Sequence, residues 1–329
     1  MKHRFAFAGF RHGHIYGLYD RVKNAAGCEI VGACEEDVAG RTTVRNDIKL
    51  NSASIAEMLD KTDCDIVAVG DYYGKRGSIV IDALKRGKHV IADKPLCTSL
   101  AELDEIARLA KEKDLKIGCM LDLRTAPDIA TARRALLDGV IGEIVQIQFS
   151  GQHPLLPASR PGWYFEPGKH GGTINDIAIH GIDAIPWMTG RKFKSIVAAR
   201  TWKAYPVTAD CFKDAGQFML ELDNSGGVMG DVSYDMVNTQ GYTLPTYWRF
   251  NFWGSRGMLE IIHTANTVRV YSDGAKSPTV LGEIADVGPD YLDSFLADID
   301  GKPGELDTAQ VLASTRLALE IQKAADARG

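Results

Sequence analysis

Two side chains that could move a proton lie four residues apart in the middle of the chain. Asp176 and His180 follow a Gly-Gly pair in a segment whose apolar residues recur at helical spacing, so one helix face would carry both. A histidine can accept the proton of a substrate hydroxyl while a hydride leaves the adjoining carbon, because its pKa lies near neutrality. With Asp183, the same spacing also suits a metal site, and a helical histidine can have a purely structural role. The residues alone leave these interpretations open.

A lysine at the end of a predicted strand is the second candidate for chemistry. Lys94 stands between Asp93 and Pro95, directly after an apolar run at 89–92. In a parallel sheet the carboxyl ends of the strands line the ligand crevice, and an ammonium group there would stabilise negative charge developing on a substrate oxygen. The proline holds Lys94 extended, and the bond between them is a candidate for the cis form. A surface lysine beside a turn proline explains these residues equally well.

A glycine-containing turn near the start of the chain predicts a dinucleotide site. Gly9 ends an apolar run at 4–9 and fits the first position of the G-x-G-x-x-G fingerprint, but Arg11 and His14 replace the second and third glycines. The placement is stronger than the motif, since a strand precedes the turn and a helix follows it. Glu35 ends the next strand, where a carboxylate accepts hydrogen bonds from the adenosine ribose and repels a 2′-phosphate. We therefore expect NAD rather than NADP.

The elements that must position these residues change in character after Arg124. Before it, five apolar runs alternate with helical segments, the pattern of a doubly wound parallel (Rossmann) sheet covered on both faces. After it, a helix at 127–138 is followed by long strands that alternate apolar and polar residues. The predicted fold class is α/β: an N-terminal Rossmann domain plus a C-terminal α+β domain with a large, mostly antiparallel open sheet. We expect an NAD-binding domain over 1–121 and a substrate-binding and oligomerisation domain over 122–329, whose last helix, 307–327, packs back near the first.

The composition restricts the class of protein. Of 329 residues, 45% are hydrophobic and 25% charged, which is typical of a globular protein with a substantial core. A net charge of −5 without basic clusters argues against nucleic acid as a partner, and no apolar stretch approaches the ~20 residues that cross a bilayer. The initial apolar run is too short for a signal peptide, and six cysteines without a CxxC pair suit a reducing compartment. We expect a cytoplasmic protein with a small-molecule substrate.

The motifs in this order resemble the glucose–fructose oxidoreductase/inositol dehydrogenase (Gfo/Idh/MocA) family. Asp93-Lys94-Pro95 is similar to the family's Glu-Lys-Pro motif, and 171–183 is similar to its glycine-rich helix start with a D-x-x-x-H pair. The segment from Arg124 resembles the opening of the family's second domain, and 254–260 resembles a late strand-pair turn. These segments span nearly the whole chain.

Two departures from the family pattern lie after the strand predicted at 65–70. Asp71-Tyr72-Tyr73 stands where Thr-Pro-Asn is usual, and Arg76 stands where a histidine is common. In relatives these positions border the nicotinamide half of the cofactor. The resemblance therefore implies an altered substrate or cofactor contact with binding retained.

The resemblance implies an NAD-dependent dehydrogenase that acts on a CH–OH group of a polyol, a sugar or a related small molecule. It implies that His180 is the general acid/base, Lys94 the polarising cation and Asp176 the substrate anchor, and it supplies no metal. Two alternatives remain: an NAD-retaining lyase or glycosidase, and a non-catalytic regulator that senses NAD or a sugar. The presence of all three residues, Lys94, Asp176 and His180, argues against a non-catalytic regulator.

The full set of predicted contacts extends beyond these three residues. The predicted cofactor-binding residues are Gly9, Phe10, Arg11, His12, Glu35, Gly70, Asp71, Tyr72, Asp93, Lys94 and Arg124. The predicted substrate-binding residues are Lys94, Arg124, Trp163, Tyr164, Asp176 and His180. The two aromatic residues lie in the Pro/Gly-rich loop 154–172, where they either stack on a sugar face or anchor the loop.

The C-terminal sheet also predicts an oligomer. Only one set of helices is available to cover it, so apolar residues such as those near Trp248, Phe250 and Phe252 are expected on an exposed face. A large exposed apolar patch usually marks an interface. We expect a homodimer or homotetramer that associates through this sheet.

Overall fold

The computed structural model describes residues 2–236 and 247–327, which form two compact units. The first unit comprises Met1–Met120, Gly168–Gly171 and Pro289–Arg316, and the second comprises Leu121–Pro167, Gly172–Gly288 and Leu317–Gly329. The predicted limits treated each domain as one continuous stretch, whereas two later segments return to the first unit. Within the described chain, the helices are too short or too polar to cross a lipid bilayer.

The first unit contains the predicted Rossmann sheet. Five strands, all parallel, lie in the order β2-β1-β3-β4-β5. Their bounds are β1 His3–Ala8, β2 Cys28–Cys34, β3 Ile66–Val69, β4 His89–Ala92 and β5 Ile117–Cys119. The helices of this unit up to β5 are α1 His14–Asn24, α2 Val38–Arg41, α3 Ile55–Lys61, α4 Tyr73–Lys85 and α5 Leu100–Glu112. The apolar runs are continuous because helices cover both faces; all four residues of β3 are buried.

A late helix completes the first unit beside β5. Helix α8, Tyr291–Ile299, was not predicted, and it brings the Phe295 ring so close to Gly118 that an added Cβ would lie 2.8 Å from it. The last helix, α9, Thr308–Asp326, begins in the same unit, where the Thr308 hydroxyl accepts a hydrogen bond of 2.9 Å from the Ile117 N–H. These contacts explain why the segment Pro289–Arg316 clusters with the first unit.

The second unit contains the predicted large open sheet. Eight strands lie in the order β13-β12-β11-β10-β6-β9-β8-β7, and all neighbours are antiparallel except β6 and β9. Their bounds are β6 Ile144–Pro154, β7 Phe193–Trp202, β8 Ala215–Leu222, β9 Gly227–Asp235, β10 Tyr247–Gly254, β11 Gly257–Ile262, β12 Thr267–Ser272 and β13 Thr279–Val280. Helix α6, Pro127–Leu137, a π-helix, Ile174–Ala178, and helix α7, Ile179–Thr189, belong to the same unit. Both parts of the predicted fold class are confirmed.

The expectation of an exposed aromatic face on this sheet is wrong. Trp248, Phe250 and Phe252 are buried, on the face of β10 that they share with Phe149. Helix α7 covers this face, since a Cβ added to Gly181 would lie 2.7 Å from the Phe149 ring. Alternate residues of a strand point to opposite faces, and the alternation in β10 puts these three aromatic residues on the helix side.

The tight packing of this sheet generates a stability prediction. A Cβ added to Gly230 in β9 would overlap the Phe218 ring of β8, whereas one added to Gly227 in the same strand would meet nothing within 4 Å. We expect Gly230→Ala to lower the free energy of unfolding by about 1–3 kcal/mol through overpacking. Gly227→Ala is the matched control and should change it by less than about 0.5 kcal/mol. Thermal and urea unfolding followed by circular dichroism measure both; equal midpoints for the two variants would contradict the packing described here.

Candidate functional site

The turn after β1 requires glycine at its first position. Gly9 has φ +82°, and an added Cβ would lie 2.7–2.9 Å from backbone and side-chain atoms of Asp71. Its N–H donates to the Cys34 carbonyl at 2.8 Å, and the His12 N–H donates to the Gly70 carbonyl at 3.2 Å. The structure therefore brings the predicted residues Gly9, His12, Gly70 and Asp71 together at the carboxyl edge of the first sheet.

The same turn fits the diphosphate of a dinucleotide. Helix α1 starts directly after Gly13, around whose missing Cβ there is open space to 4 Å, and its first turn carries no acidic residue. The N–H groups at a helix start attract anions, and the open space allows a phosphate to approach the backbone. Arg11, which replaces the second fingerprint glycine, is partly exposed, forms an ion pair of 3.0 Å with Asp37 and lies 5.8 Å from the ring centre of Tyr72.

Glu35, at the end of β2, stabilises the turn after β1 by accepting a backbone hydrogen bond. It is only 1% exposed, and its two oxygens accept hydrogen bonds from the N–H groups of Phe10, at 2.6 Å, and Asp37, at 2.9 Å. Burial raises the pKa of Glu35 despite these two bonds. Its predicted ribose contact stays a prediction, because one lone pair on each oxygen is already used. Asp37 is the more exposed carboxylate at this edge, and the sequence analysis did not single it out.

A buried polar network surrounds the start of the lysine motif. Asp93 is fully buried, and its carboxylate contacts His12 Nδ1 at 2.5 Å, His14 Nδ1 at 3.3 Å and Arg76 Nη2 at 2.7 Å. The other His12 nitrogen, Nε2, lies 3.1 Å from the Tyr73 hydroxyl. Burial lowers the pKa of His12 to about 4, although Asp93 opposes this shift, so the imidazole is neutral at pH 7.

Three of these side chains have the composition of a metal site. The ligand atoms of His12, His14 and Asp93 all lie within 4.8 Å of one another. The guanidinium of Arg76 already neutralises the Asp93 carboxylate, however, and would repel a cation bound there. Lys94 follows directly, is 3% exposed, and precedes a cis peptide bond to Pro95.

The segment that carries Asp176 and His180 in the second unit is a π-helix that continues into α7. Asp176 lies in Ile174–Ala178 and His180 lies in the first turn of α7, and both are buried. The wider π-helix turn modifies the predicted geometry, which assumed α-helical spacing for the whole segment. Gln322 of α9 caps the start, since its Oε1 accepts hydrogen bonds from the N–H groups of Ile174 at 2.9 Å and Asn175 at 3.3 Å.

Aromatic residues of the second sheet surround this segment. The hydroxyl of Tyr234, in β9, donates a short hydrogen bond to Asp176. Burial, followed by the neighbouring carboxylate, raises the pKa of Tyr234 well above its usual range. The His180 ring lies 4.8 Å from that of Trp248, which has φ +83° in β10, and His180 Nδ1 lies 3.8 Å from Asp122 Oδ1.

Neither Tyr234 nor Trp248 was named as a site residue in the sequence analysis. They lie in alternating strands, where an aromatic residue that serves a site has the same pattern as one that serves the core. Only the strand register brings them to Asp176 and His180.

Three other predicted residues have partners within the second unit. Trp163 and Tyr164 are buried and stack on each other with ring centres 4.2 Å apart. Arg124 is buried and forms a two-pronged ion pair with Asp183, with Nε to Oδ2 at 2.7 Å and Nη2 to Oδ1 at 2.6 Å. Their predicted contacts with substrate and cofactor stay predictions.

The residues therefore provide two kinds of chemistry. The first unit has a turn whose N–H groups and open space suit an anion, bordered by carboxylates, at the carboxyl edge of a parallel sheet. The second unit has a buried imidazole beside an aromatic ring, and a buried carboxylate bonded to a phenol. A dinucleotide fits the first arrangement, and proton transfer to or from a hydroxyl group suits the second.

Comparison with known proteins agrees with this division. Residues 4–120 match the model described as an oxidoreductase family with an NAD-binding Rossmann fold, and residues 129–260 match the GFO/IDH/MocA C-terminal domain. A D-xylose dehydrogenase of Paenarthrobacter nicotinovorans is 27% identical over 201 residues, 55% of this chain and 50% of that protein. A myo-inositol 2-dehydrogenase of Thermotoga maritima is 24% identical over 244 residues, 73% of this chain and 66% of that protein.

A solved structure extends the similarity over the whole chain. An oxidoreductase from Agrobacterium radiobacter, in complex with NAD+, L-tartaric acid and magnesium, is 18% identical with a TM-score of 0.79 and covers 100% of this chain and 98% of that one. At this identity the match establishes the fold, whereas the curated relatives are matched over about half to two thirds of their length. With both family models matched in order, the chain belongs to the GFO/IDH/MocA family of NAD-binding oxidoreductases.

Proposed function

We propose that this protein is an NAD-dependent dehydrogenase that transfers a hydride between the nicotinamide and a carbinol carbon of a polyol, a sugar or a related small molecule. The observation that carries the proposal is the buried pair of proton-handling groups in the second unit, Asp176 bonded to Tyr234 and His180 beside Trp248. Two relatives named as dehydrogenases of D-xylose and myo-inositol support the substrate class.

The side chains of this protein would manage the proton and the orientation of the substrate. His180 accepts the hydroxyl proton, and Asp122, 3.8 Å from its Nδ1, favours the imidazolium that results. Asp176 accepts a hydrogen bond from a neighbouring substrate hydroxyl, while Tyr234 keeps the carboxylate in place. Lys94 stabilises the negative charge that develops on the substrate oxygen. NAD, when bound, supplies the hydride acceptor.

The first test measures activity on a panel of polyols and sugars, with the absorbance of the reduced nicotinamide as the readout. We expect Lys94→Ala and His180→Ala each to lower kcat on the best substrate by about 10²–10⁴-fold, because each removes charge or proton transfer at the reacting oxygen. Lys61→Ala is the control, since the Lys61 side chain is 74% exposed in a surface pair with Glu57. Full activity of either site variant would refute these assignments.

The same assay separates the proposal from the two alternatives. A lyase or glycosidase that returns the hydride would release product without accumulating NADH. A regulator would bind NAD tightly and turn over no member of the panel. Either result would contradict the proposal that the protein is a dehydrogenase.

The carboxylates at the end of β2 generate a prediction about the cofactor. Glu35 and Asp37 would repel a 2′-phosphate, so we expect NADP to bind at least about tenfold more weakly than NAD. Asp37→Asn should reduce the preference for NAD over NADP, because Asp37 is the more exposed of the two acids. Asp63→Asn, at a side chain that is 83% exposed, should leave it unchanged. Titration calorimetry measures the affinities of all three proteins for both cofactors, and equal or tighter NADP binding by the wild type would contradict the prediction.

We also propose that the protein is a homodimer or homotetramer that associates through the second sheet. The face opposite α7 exposes Met219 by 49% and Met229 by 43%, and a second copy of the same face would bury both. We expect an oligomer in size-exclusion chromatography with light scattering, and Met229→Lys should shift it towards monomer. Val207→Lys is a control of similar exposure, 56%, outside the strands. A monomeric wild type at all concentrations would rule out this assembly.

A further inference from the structure

The guanidinium of Arg76 is fully buried in the first unit and bonded to three separate backbone carbonyls. From α4, its Nε donates to the Asp71 carbonyl at 2.7 Å. Its Nη1 donates to the Asp93 carbonyl at 3.0 Å and to the Pro95 carbonyl at 3.2 Å. Because Asp93 and Pro95 are the two neighbours of Lys94, one side chain holds the backbone on both sides of the lysine.

The second terminal nitrogen of Arg76 adds an ion pair to these backbone bonds. Nη2 lies 2.7 Å from Asp93 Oδ2, and both side chains are 0% exposed. Burial by itself would raise the pKa of Asp93, but the charge of Arg76 together with His12 and His14 outweighs burial and holds that pKa well below the usual range. The carboxylate therefore stays ionised and keeps the Arg76 guanidinium in place.

The shape of arginine explains why this residue suits the position. Its planar guanidinium presents five N–H donors in a fixed fork, so it can bond to several fixed acceptors at once. A lysine would supply the same charge from a single flexible ammonium and could not reach the carbonyls of Asp71, Asp93 and Pro95 together. The position therefore depends on the geometry of the side chain as well as on its charge.

We propose that Arg76 is a positioning residue that acts through Lys94: it fixes the Asp93–Pro95 backbone and so sets where the Lys94 ammonium is presented. The inference rests on the proposed function, in which that ammonium stabilises charge on the substrate oxygen. A misplacement of about 1 Å can cost a reacting group on the order of 100-fold in rate. His12, in the turn after β1, and His14, at the start of α1, contact the same Asp93 carboxylate and support its position as hydrogen-bonding partners.

A double-mutant cycle tests the proposal. Arg76→Ala, Lys94→Ala and the double variant are compared with wild type in kcat, in KM for the substrate and in Kd for NAD. We expect Arg76→Ala to lower kcat by about 100-fold while Kd for NAD changes by less than about threefold. In the Lys94→Ala background the same substitution should cost less than about threefold in kcat, because the group through which it acts is absent. Arg86→Ala, at the C-terminal end of the same helix, is the control.

Two further measurements separate positioning from folding. Arg76→Lys keeps the charge without the fork and should remain at least about tenfold slower than wild type. Guanidinium ions at concentrations that do not unfold the protein should restore part of the kcat of Arg76→Ala and none of the kcat of Arg86→Ala. If Arg76→Ala does not fold, the cycle is carried out with Arg76→Lys.

Each outcome supports or overturns the inference. Equal losses in kcat from Arg76→Ala in the wild-type and Lys94→Ala backgrounds would overturn it and leave the proposed function intact. Full activity of Lys94→Ala would instead remove the role of Lys94 in the proposed function, and the inference with it. One zinc ion per chain, bound from solution and lost in His14→Ala, would also overturn it, because Asp93 would then be a metal ligand rather than the partner of Arg76.

Discussion

A charge can be buried in a protein only when a partner or a set of hydrogen bonds replaces the water it loses, and this requirement is met in different ways by several buried charges of this molecule. Asp93 is buried against Arg76, and Arg124 is buried against Asp183. Glu35 is held by two backbone N–H groups. These partners fix the side chains before any ligand binds, which reduces the reorganisation that binding and catalysis require.

The two units bring their polar side chains together in different ways. In the first, parallel strands end at one edge of the sheet, so the turn after β1, the residues after β3 and the lysine motif after β4 meet there as a consequence of topology. In the second, a π-helix carries Asp176 and depends on residues distant in sequence. Gln322 caps its start, and Tyr234 from β9 bonds to its carboxylate. The site is complete only when the last helix, which carries Gln322, packs beside the π-helix.

Local pattern predicted much of this architecture. β3 is a continuous apolar run, and the observed β4, His89–Ala92, has the predicted limits. Short helices such as α2 and α3 were missed, because four and seven residues are too few to establish a helical period. The aromatic residues of β10 were assigned to the wrong face. Alternation separates two faces of a strand but does not say which one a helix will cover.

The amino-acid sequence by itself determined the fold class, the family and the identity of the chemically capable residues, because these depend on periodicity, on order along the chain and on residue type. Only the tertiary structure decided which partner each buried charge has. It showed that Glu35 supports a turn by hydrogen bonds, that Tyr234 and Trp248 contact Asp176 and His180, and that Arg76 holds the backbone around Lys94. Those contacts join residues from 17 to 68 positions apart, and such pairings are set by strand register and packing, which no local pattern contains.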